Sequence, residues 1–435
     1  MSTVAAVRLW GQRIGAVALP EPGAVAAFEY DRAFLRSGIE LSPLRMPARR
    51  APYTFGALGR ETFRGLPGML ADSLPDRFGN ALIDVWLARQ GRAPESFDAV
   101  ERLCYIGARG MGALEFEPAL GPAPSPGRDL HVAALVELAS EVLAERGNLA
   151  ASFDGHRRAG ALRDILTVGT SAGGARAKAV IAYNPATQAV RSGQLPAEPG
   201  FEHWLLKFDG VDNDRHRDPA DPQGYGAIEF AYANMARAAG IEMTDCRLLE
   251  ENGRRHFMTR RFDRPDGRKL HMQSLGALAH FDFIQAGAYS YEQALMVIRR
   301  LGLSMTAVEQ QFRRMAFNVI ARNQDDHVKN VAFLMNPAGR WALSPAFDMT
   351  YAYNPSGAWT GQHQMTVNAK SDNFTLDDFR VCAQAASMKR GASERIAGEV
   401  LDAVGQWLTF AQQAGVPDTQ AQAIARAQRL RLPRA

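Results

Sequence analysis

Cysteine is scarce: three residues, Cys104, Cys246 and Cys382, are scattered over 435 positions. They form neither a disulfide framework nor a zinc pattern, so a reducing cytoplasm is the expected setting. Long apolar runs are missing too. None approaches the roughly 18 residues that a membrane-spanning helix requires. The opening MSTVAAVRLWGQRIG lacks a basic segment followed by an apolar one, so no signal peptide is expected there. There is no block of like charge, no internal repeat and no low-complexity tract. The net charge of +4 and pI of about 9.0 give only a mild bias towards anionic partners such as nucleotides, tRNA or DNA.

An apolar fraction of 46% is ordinary for a globular chain and suffices for a sizeable core. The first 120 residues read as mixed and β-rich, opening with a hairpin in which AAVRLW and RIGAVAL flank a GQ turn. A helical stripe of Phe78, Leu82, Ile83, Trp86 and Leu87 follows, ending before Gly91. The Pro/Gly-rich stretch 120–129 is the best linker candidate. After it come a helix ending at Gly147, a glycine-rich loop (168–178), the strands AVIAY and HWLLKFD, a long polar segment (209–226) and the helix AIEFAYANMARAAG. RRHFMTRRFDR reads as a further strand.

From about residue 270 the pattern is mainly helical. Thr306 and Glu309 fit a capping box, and Val308, Phe312, Met315 and Val319 share one face of the helix that follows. Residues 393–415 read as one helix, with Ile396, Val400, Val404, Trp407 and Ala411 on one face, Gly415 as its cap and Pro417 beyond.

Between the 306–322 helix and the strand VAFLM lies NQDDHVKN, residues 323–330. An aspartate followed five residues later by an asparagine lets one loop orient a nucleophile and hold a metal, and Asp325 and Asn330 have that spacing. Asp348, in AFDMT, closes an apolar stretch after a hairpin, where a second metal-bridging aspartate would sit in a kinase. Magnesium favours such oxygen ligands. A plain polar loop, capping the helix with Asn323, would explain the octapeptide alone but not Asp348. The loop VGTSAGGARAK could cradle phosphates through its backbone N–H groups, although it is not a Walker A sequence. Lys207 ends an apolar strand, either facing nucleotide phosphates or snorkelling to water. Arg260, Arg261 and Arg264, in TRRFDR, are either solvated or part of a hinge that presents backbone to adenine. His271, His280 and His363 have no metal spacing and read as structural.

Taken together, GLPGMLADSLPDRFGNAL, GGARAKA, NQDDHVKN and SPAFDMTYAY resemble the four signature segments of the HipA family of bacterial serine/threonine kinases, toxins of HipBA-type toxin–antitoxin modules. The resemblance spans nearly the whole chain. It implies an α+β, bilobal, protein-kinase-like fold with a β-rich N-terminal lobe, a mainly helical C-terminal lobe and ATP in the cleft between them. The implied domains are 1–125 (β-rich), 126–265 (nucleotide-binding) and 266–435 (helical, catalytic). Asp325 would be the catalytic aspartate, and Asn330 and Asp348 would bind Mg2+. Lys207, Gly173, Gly174, Ala175, Lys178, Arg261, Phe262, His327 and Lys329 would serve ATP, the last two also shaping the catalytic loop. Ser171, or its neighbour Thr170, would be an autophosphorylated, self-inactivating residue. Segment 209–226 would act as an activation loop.

The implied partners are a protein substrate, which in the family includes an aminoacyl-tRNA synthetase, and a small HipB-like DNA-binding antitoxin through which DNA is contacted. No membrane partner is implied. The family loop reads closer to G-A-Q-E-K, so Arg176 and Ala177 depart from it, as does Arg260, where the family often has an acidic residue. A small-molecule phosphotransferase and a non-catalytic antitoxin-binding co-repressor remain alternative readings.

Overall fold

The computed structural model describes residues 2–124, 126–144, 156–169, 176–211 and 224–433. The chain divides into two compact units that interleave in sequence. The first comprises residues 1–223, 249–272 and 335–339, and the second 224–248, 273–334 and 340–435.

The first unit opens with the expected hairpin: β1 (Thr3–Leu9) pairs antiparallel with β2 (Gln12–Leu19). β3 (Ala27–Tyr30) and β4 (Leu114–Glu117) complete a four-stranded sheet in the order β3-β2-β1-β4. A second sheet of five strands is built from β5 (Lys178–Tyr183), β6 (Val190–Ser192), β7 (Glu202–Lys207), β8 (Cys246–Glu251) and β9 (Arg254–Arg260), in the order β6-β5-β7-β9-β8. The helix Arg77–Ala88 shares one apolar core with the helices Val132–Ala144 and His156–Val168 and with this sheet. Phe78, Leu82, Leu135, Ile165, Ile181 and Trp204 are fully or almost fully buried in it. This core draws on residues from both sides of the 120–129 stretch.

A buried ionic knot fixes the end of β9. Asp263 takes both prongs of Arg261 (Nε–Oδ1 2.9 Å, Nη2–Oδ2 2.7 Å), Nη1 of Arg264 at 2.7 Å and the amide of Gly112 at 2.7 Å. Burial opposes ionisation of Asp263, yet the two guanidinium groups hold its carboxyl well below the usual range. Gly112 sits at φ +76°, and a Cβ there would come within 2.9 Å of the Met272 backbone nitrogen, so only glycine brings its amide to the carboxylate.

The second unit is mainly helical, as expected. Its strands are short: β10 (His271–Ser274), β11 (Tyr289–Ser290), β12 (Ala332–Met335), β13 (Trp341–Leu343) and β14 (Met365–Thr366), with β10-β12-β13 as one sheet and β11-β14 as a parallel pair. β8, β10 and β12 straddle unit boundaries. The central helix is Met305–Ala321, with Val308, Phe312, Met315 and Val319 fully buried as their spacing predicts.

Two helix boundaries differ from expectation. Ser304, not Thr306, caps the central helix, its hydroxyl accepting from the Ala307 amide. The tail is two helices, Ala392–Val404 and Trp407–Gln413, broken at Gly405. All five predicted face residues are still buried, because the two helices bury their apolar faces in turn. The cysteines are free and buried. Among the described residues no helix is long and apolar enough to cross a membrane.

Candidate active site

The central helix ends at Arg322, which adopts a left-handed conformation (φ +61°) and returns its N–H to Asn318 O. A non-glycine residue there is strained. Contacts of the Arg322 guanidinium offset the strain: it stacks 4.2 Å from the Tyr353 ring and donates to Gln324 Oε1 (2.9 Å) and Ala427 O (2.8 Å). This sharp exit delivers the chain into residues 323–330.

Within that loop the two aspartates diverge. Asp325 is half-buried, and its Oδ1 accepts from the Trp359 indole N–H at 2.6 Å, with His327 Nε2 at 3.9 Å. Asp326 is buried and accepts three hydrogen bonds: from Tyr291 O–H (2.7 Å), His363 Nδ1 (2.8 Å) and the Gln364 amide (2.8 Å). Burial would raise the Asp326 pKa, but His363, Tyr291 and Gln364 together hold it below the usual carboxylate range. One aspartate thus anchors the loop from inside while its neighbour faces outward.

Asn330 Nδ2 donates to Asp325 O at 2.8 Å. That fixes the amide orientation and leaves Oδ1 as the oxygen acceptor. Asn323 Nδ2 reaches both Asn318 Oδ1 (3.0 Å) and Asp348 O (3.2 Å), tying the loop to the AFDMT segment. Asp348 lies at φ +53°, a left-handed conformation that aspartates adopt more readily than most residues. Asn330, Asp348, Asp326 and His327 line one pocket, with Asn323 and Arg314 beside them. Asn323 Oδ1 is buried there without a hydrogen-bond partner among the described residues.

Among the described residues no cluster of three or more His, Cys, Asp or Glu side chains forms a self-contained metal cage. The side-chain oxygens of Asn330 and Asp348, beside the orphaned Asn323 oxygen, are of the donor type that Mg2+ takes when it shares its shell with water and phosphate oxygens. Lys329 lies 5.0 Å from the Phe283 ring centroid, and His327 stands 5.4 Å from the same ring and 6.3 Å from Trp359. Both therefore pack around the loop.

The second group of candidates lies in the first unit. Lys178 and Lys207 are opposed in register on β5 and β7. Like charges across a strand pair repel unless an anion sits near them. For Lys178, which is buried, that anion is Asp76 at 3.3 Å. Asp76 also caps the 77–88 helix, so two signature segments distant in sequence meet there. Lys207 is half-buried, with its Nζ 5.7 Å from the Phe257 ring centroid.

Arg261 is committed to the ionic knot at the end of β9. Its guanidinium is buried on Asp263, and its backbone N–H goes to His203 O at 2.9 Å. Phe262 is half-buried in the turn after β9. Gly173, Gly174, Ala175, Ser171 and Thr170 lie outside the described residues, as does most of the 209–226 segment.

Sequence reasoning missed Trp359, Tyr291, Gln364 and the role of His363. They reach the loop from 34 to 38 residues away. Only the TrpThr-Gly-Gln-His-Gln run itself, rich in donors after AFDMT, could have signalled three of them.

A family model described as the HipA-like C-terminal domain matches residues 170–431, and one described as the HipA N-terminal domain matches residues 5–117. A chain of the solved complex of the toxin–antitoxin system HipA, HipB and its operator DNA from Shewanella oneidensis MR-1 superposes with a TM-score of 0.67. It shares 16% identity, with 97% of this chain and 94% of that one covered. The proinflammatory kinase CtkA of Helicobacter pylori gives a TM-score of 0.31 at 12% identity, covering 52% of this chain and 92% of that one, too low to bear on the fold. A curated protein of Sinorhizobium fredii (strain NBRC 101917 / NGR234), Y4dM, which bears the name of a kinase only provisionally, is 25% identical over 172 residues. The match covers 36% of this chain and 39% of the length of that relative.

Proposed function

The chain belongs to the HipA family, and from that premise we propose that it is an ATP- and Mg2+-dependent serine/threonine protein kinase, the toxin of a type II toxin–antitoxin module. The observation that carries this reading is the divergence of the paired aspartates. A half-exposed Asp325 is oriented by Trp359, and a buried Asp326 immobilises the loop from behind. Phosphoryl transfer asks little covalent chemistry of a protein, so positioning and electrostatics dominate.

Each residue then has a role. With Oδ1 held by the indole, Asp325 Oδ2 is left to accept or orient the proton of a substrate hydroxyl. Asn330 Oδ1 and Asp348 would hold Mg2+, which when bound neutralises charge on the phosphates. Lys207 would contact ATP phosphates, with the loop amides of Gly173, Gly174 and Ala175. Lys178 would act through its pair with Asp76, holding the base of that loop. His327 and Lys329 would support the catalytic loop from its sides.

Ser171, with Thr170 as the alternative, would be the autophosphorylated residue. Phosphate there adds about two negative charges beside a phosphate-binding loop and disfavours ATP. The partners that fit are a host protein substrate, with an aminoacyl-tRNA synthetase the first to assay, and a HipB-like DNA-binding antitoxin in a bacterial cytoplasm.

Intact-mass spectrometry of the protein with Mg-ATP, beside Asp325→Gln, tests the reading. We expect one added phosphate in the parent protein only, mapping to Ser171. If neither protein gains phosphate and calorimetry detects no ATP binding, the kinase reading falls and the co-repressor reading replaces it.

A further inference from the structure

We infer that Arg429, in the extended segment after the Asp418–Ala427 helix, is a positioning residue for the catalytic loop. It contacts Gln324 directly and Asp326 through His363, the two residues that flank Asp325. This role rests on Asp325 being the catalytic aspartate, as proposed above.

The first arm is a directed hydrogen-bond chain. Arg429 Nη1 lies 3.0 Å from His363 Nε2. A guanidinium has donors and no acceptor, so Nε2 must accept, and the imidazole carries its proton on Nδ1. That proton points at Asp326 Oδ2, 2.8 Å away. From the other side Asn318 Nδ2 donates to the Tyr291 hydroxyl oxygen (2.9 Å), which turns the Tyr291 hydrogen towards the same carboxylate oxygen at 2.7 Å. Every proton in the chain has one place to go, and all of them converge on Asp326. Besides Arg429 and Asp326, the Phe374 ring lies against His363, its centroid 5.2 Å away.

The second arm reaches the other flank. Arg429 Nη2 is 3.4 Å from Gln324 Oε1, which also accepts from Arg322. Gln324 is fully buried; its backbone N–H is bonded to Ala352 O and its side-chain amide to Thr360 O. Arg429 is itself fastened. Its backbone N–H donates to Ile320 O (2.9 Å), Nη1 to Val319 O (2.8 Å), and Nη2 contacts Asp372. One side chain, held at the end of the central helix, thus reaches position 324 directly and position 326 through His363, on either side of Asp325. Errors of about 1 Å in such a group cost large rate factors.

The test compares the parent protein with Arg429→Ala, Arg429→Lys and, as a surface control, Arg395→Ala. ATP turnover, ATP affinity by calorimetry, hydrogen exchange over residues 323–331 and the His363 tautomer by 15N NMR are measured in each. We expect Arg429→Ala to lower kcat about 10- to 100-fold while ATP affinity changes by less than about three-fold. Loop exchange should rise, and His363 should become a mixture of tautomers. Arg429→Lys keeps the charge but cannot fork, so it should fall between, and it serves if the alanine variant misfolds.

A folded Arg429→Ala with unchanged kcat, unchanged loop exchange and a fixed Nδ1–H tautomer overturns the inference. If the parent protein transfers no phosphate, the kinase reading fails by itself. The exchange and tautomer measurements still decide whether Arg429 holds the loop: unchanged values sink the inference, and changed values uphold the coupling.

Discussion

At the residue scale, Trp359 carries the clearest consequence. Its indole is a donor with no acceptor, 2.6 Å from a carboxylate that must keep one orientation. Trp359→Phe keeps the bulk and removes the donor. A hydrogen bond to a charged group is worth about 1.5–3 kcal/mol, so kcat should drop roughly 10- to 100-fold if the bond persists in the transition state. Initial-rate kinetics check this; a kcat within two-fold of the parent would show that Trp359 only packs. NQDDHVKN was legible in the sequence because its chemistry is local. Trp359, Tyr291 and His363 were not, because tertiary folding brings them to the loop and their spacing along the chain encodes nothing. His363 read as structural and is so, buried between Asp326 and Arg429, partners its spacing could not name.

At the scale of elements, propensity placed the helices well and their ends less well. Thr306 and Glu309 satisfy the capping pattern, but Ser304 lies two residues earlier and its hydroxyl meets the Ala307 amide. Both sites are exposed, so the difference is measurable without disturbing the core. Ser304→Ala should destabilise the protein by about 1 kcal/mol and Thr306→Ala by only a few tenths. Chemical denaturation monitored by circular dichroism compares them; equal effects would refute Ser304 as the cap. The tail shows the same limit. An unbroken 3.6-residue stripe over 393–415 hides a break, because two short helices that pack against one body keep a common periodicity. The opening hairpin and β5, β7, β9 and β12 were legible because short apolar runs between turn residues allow little else.

At the scale of the molecule, charge burial sets the response to acid. Burial, reinforced by Arg261 and Arg264, pushes the His203 imidazole down to about 4. Burial also takes His256 down to about 4, against Asp209, and His271 down to about 3. All three belong to the first unit. An unfolded histidine takes its proton near pH 6.5. Between there and pH 4 the unfolded chain therefore binds more protons than the folded one, and stability must fall as pH falls. At pH 5 each residue costs at most about 2 kcal/mol. Asp263 and Asp326, with depressed pKa values, keep their contributions throughout this window. Thermal melting should show a steady fall from pH 7 to 5, and replacing His271 by Gln should flatten it. A melting temperature constant over that range would contradict the buried, uncharged imidazoles.

The interleaving of the two units bears on synthesis. The chain passes between them at 223/224, 248/249, 272/273, 334/335 and 339/340. A ribosome delivers residues in order, and domains ordinarily fold as they emerge. Here the first unit lacks its last segment until residue 339 has left the exit tunnel, after Asp325 and Asn330 and shortly before Asp348. A nascent chain halted anywhere earlier therefore still lacks a segment of each unit.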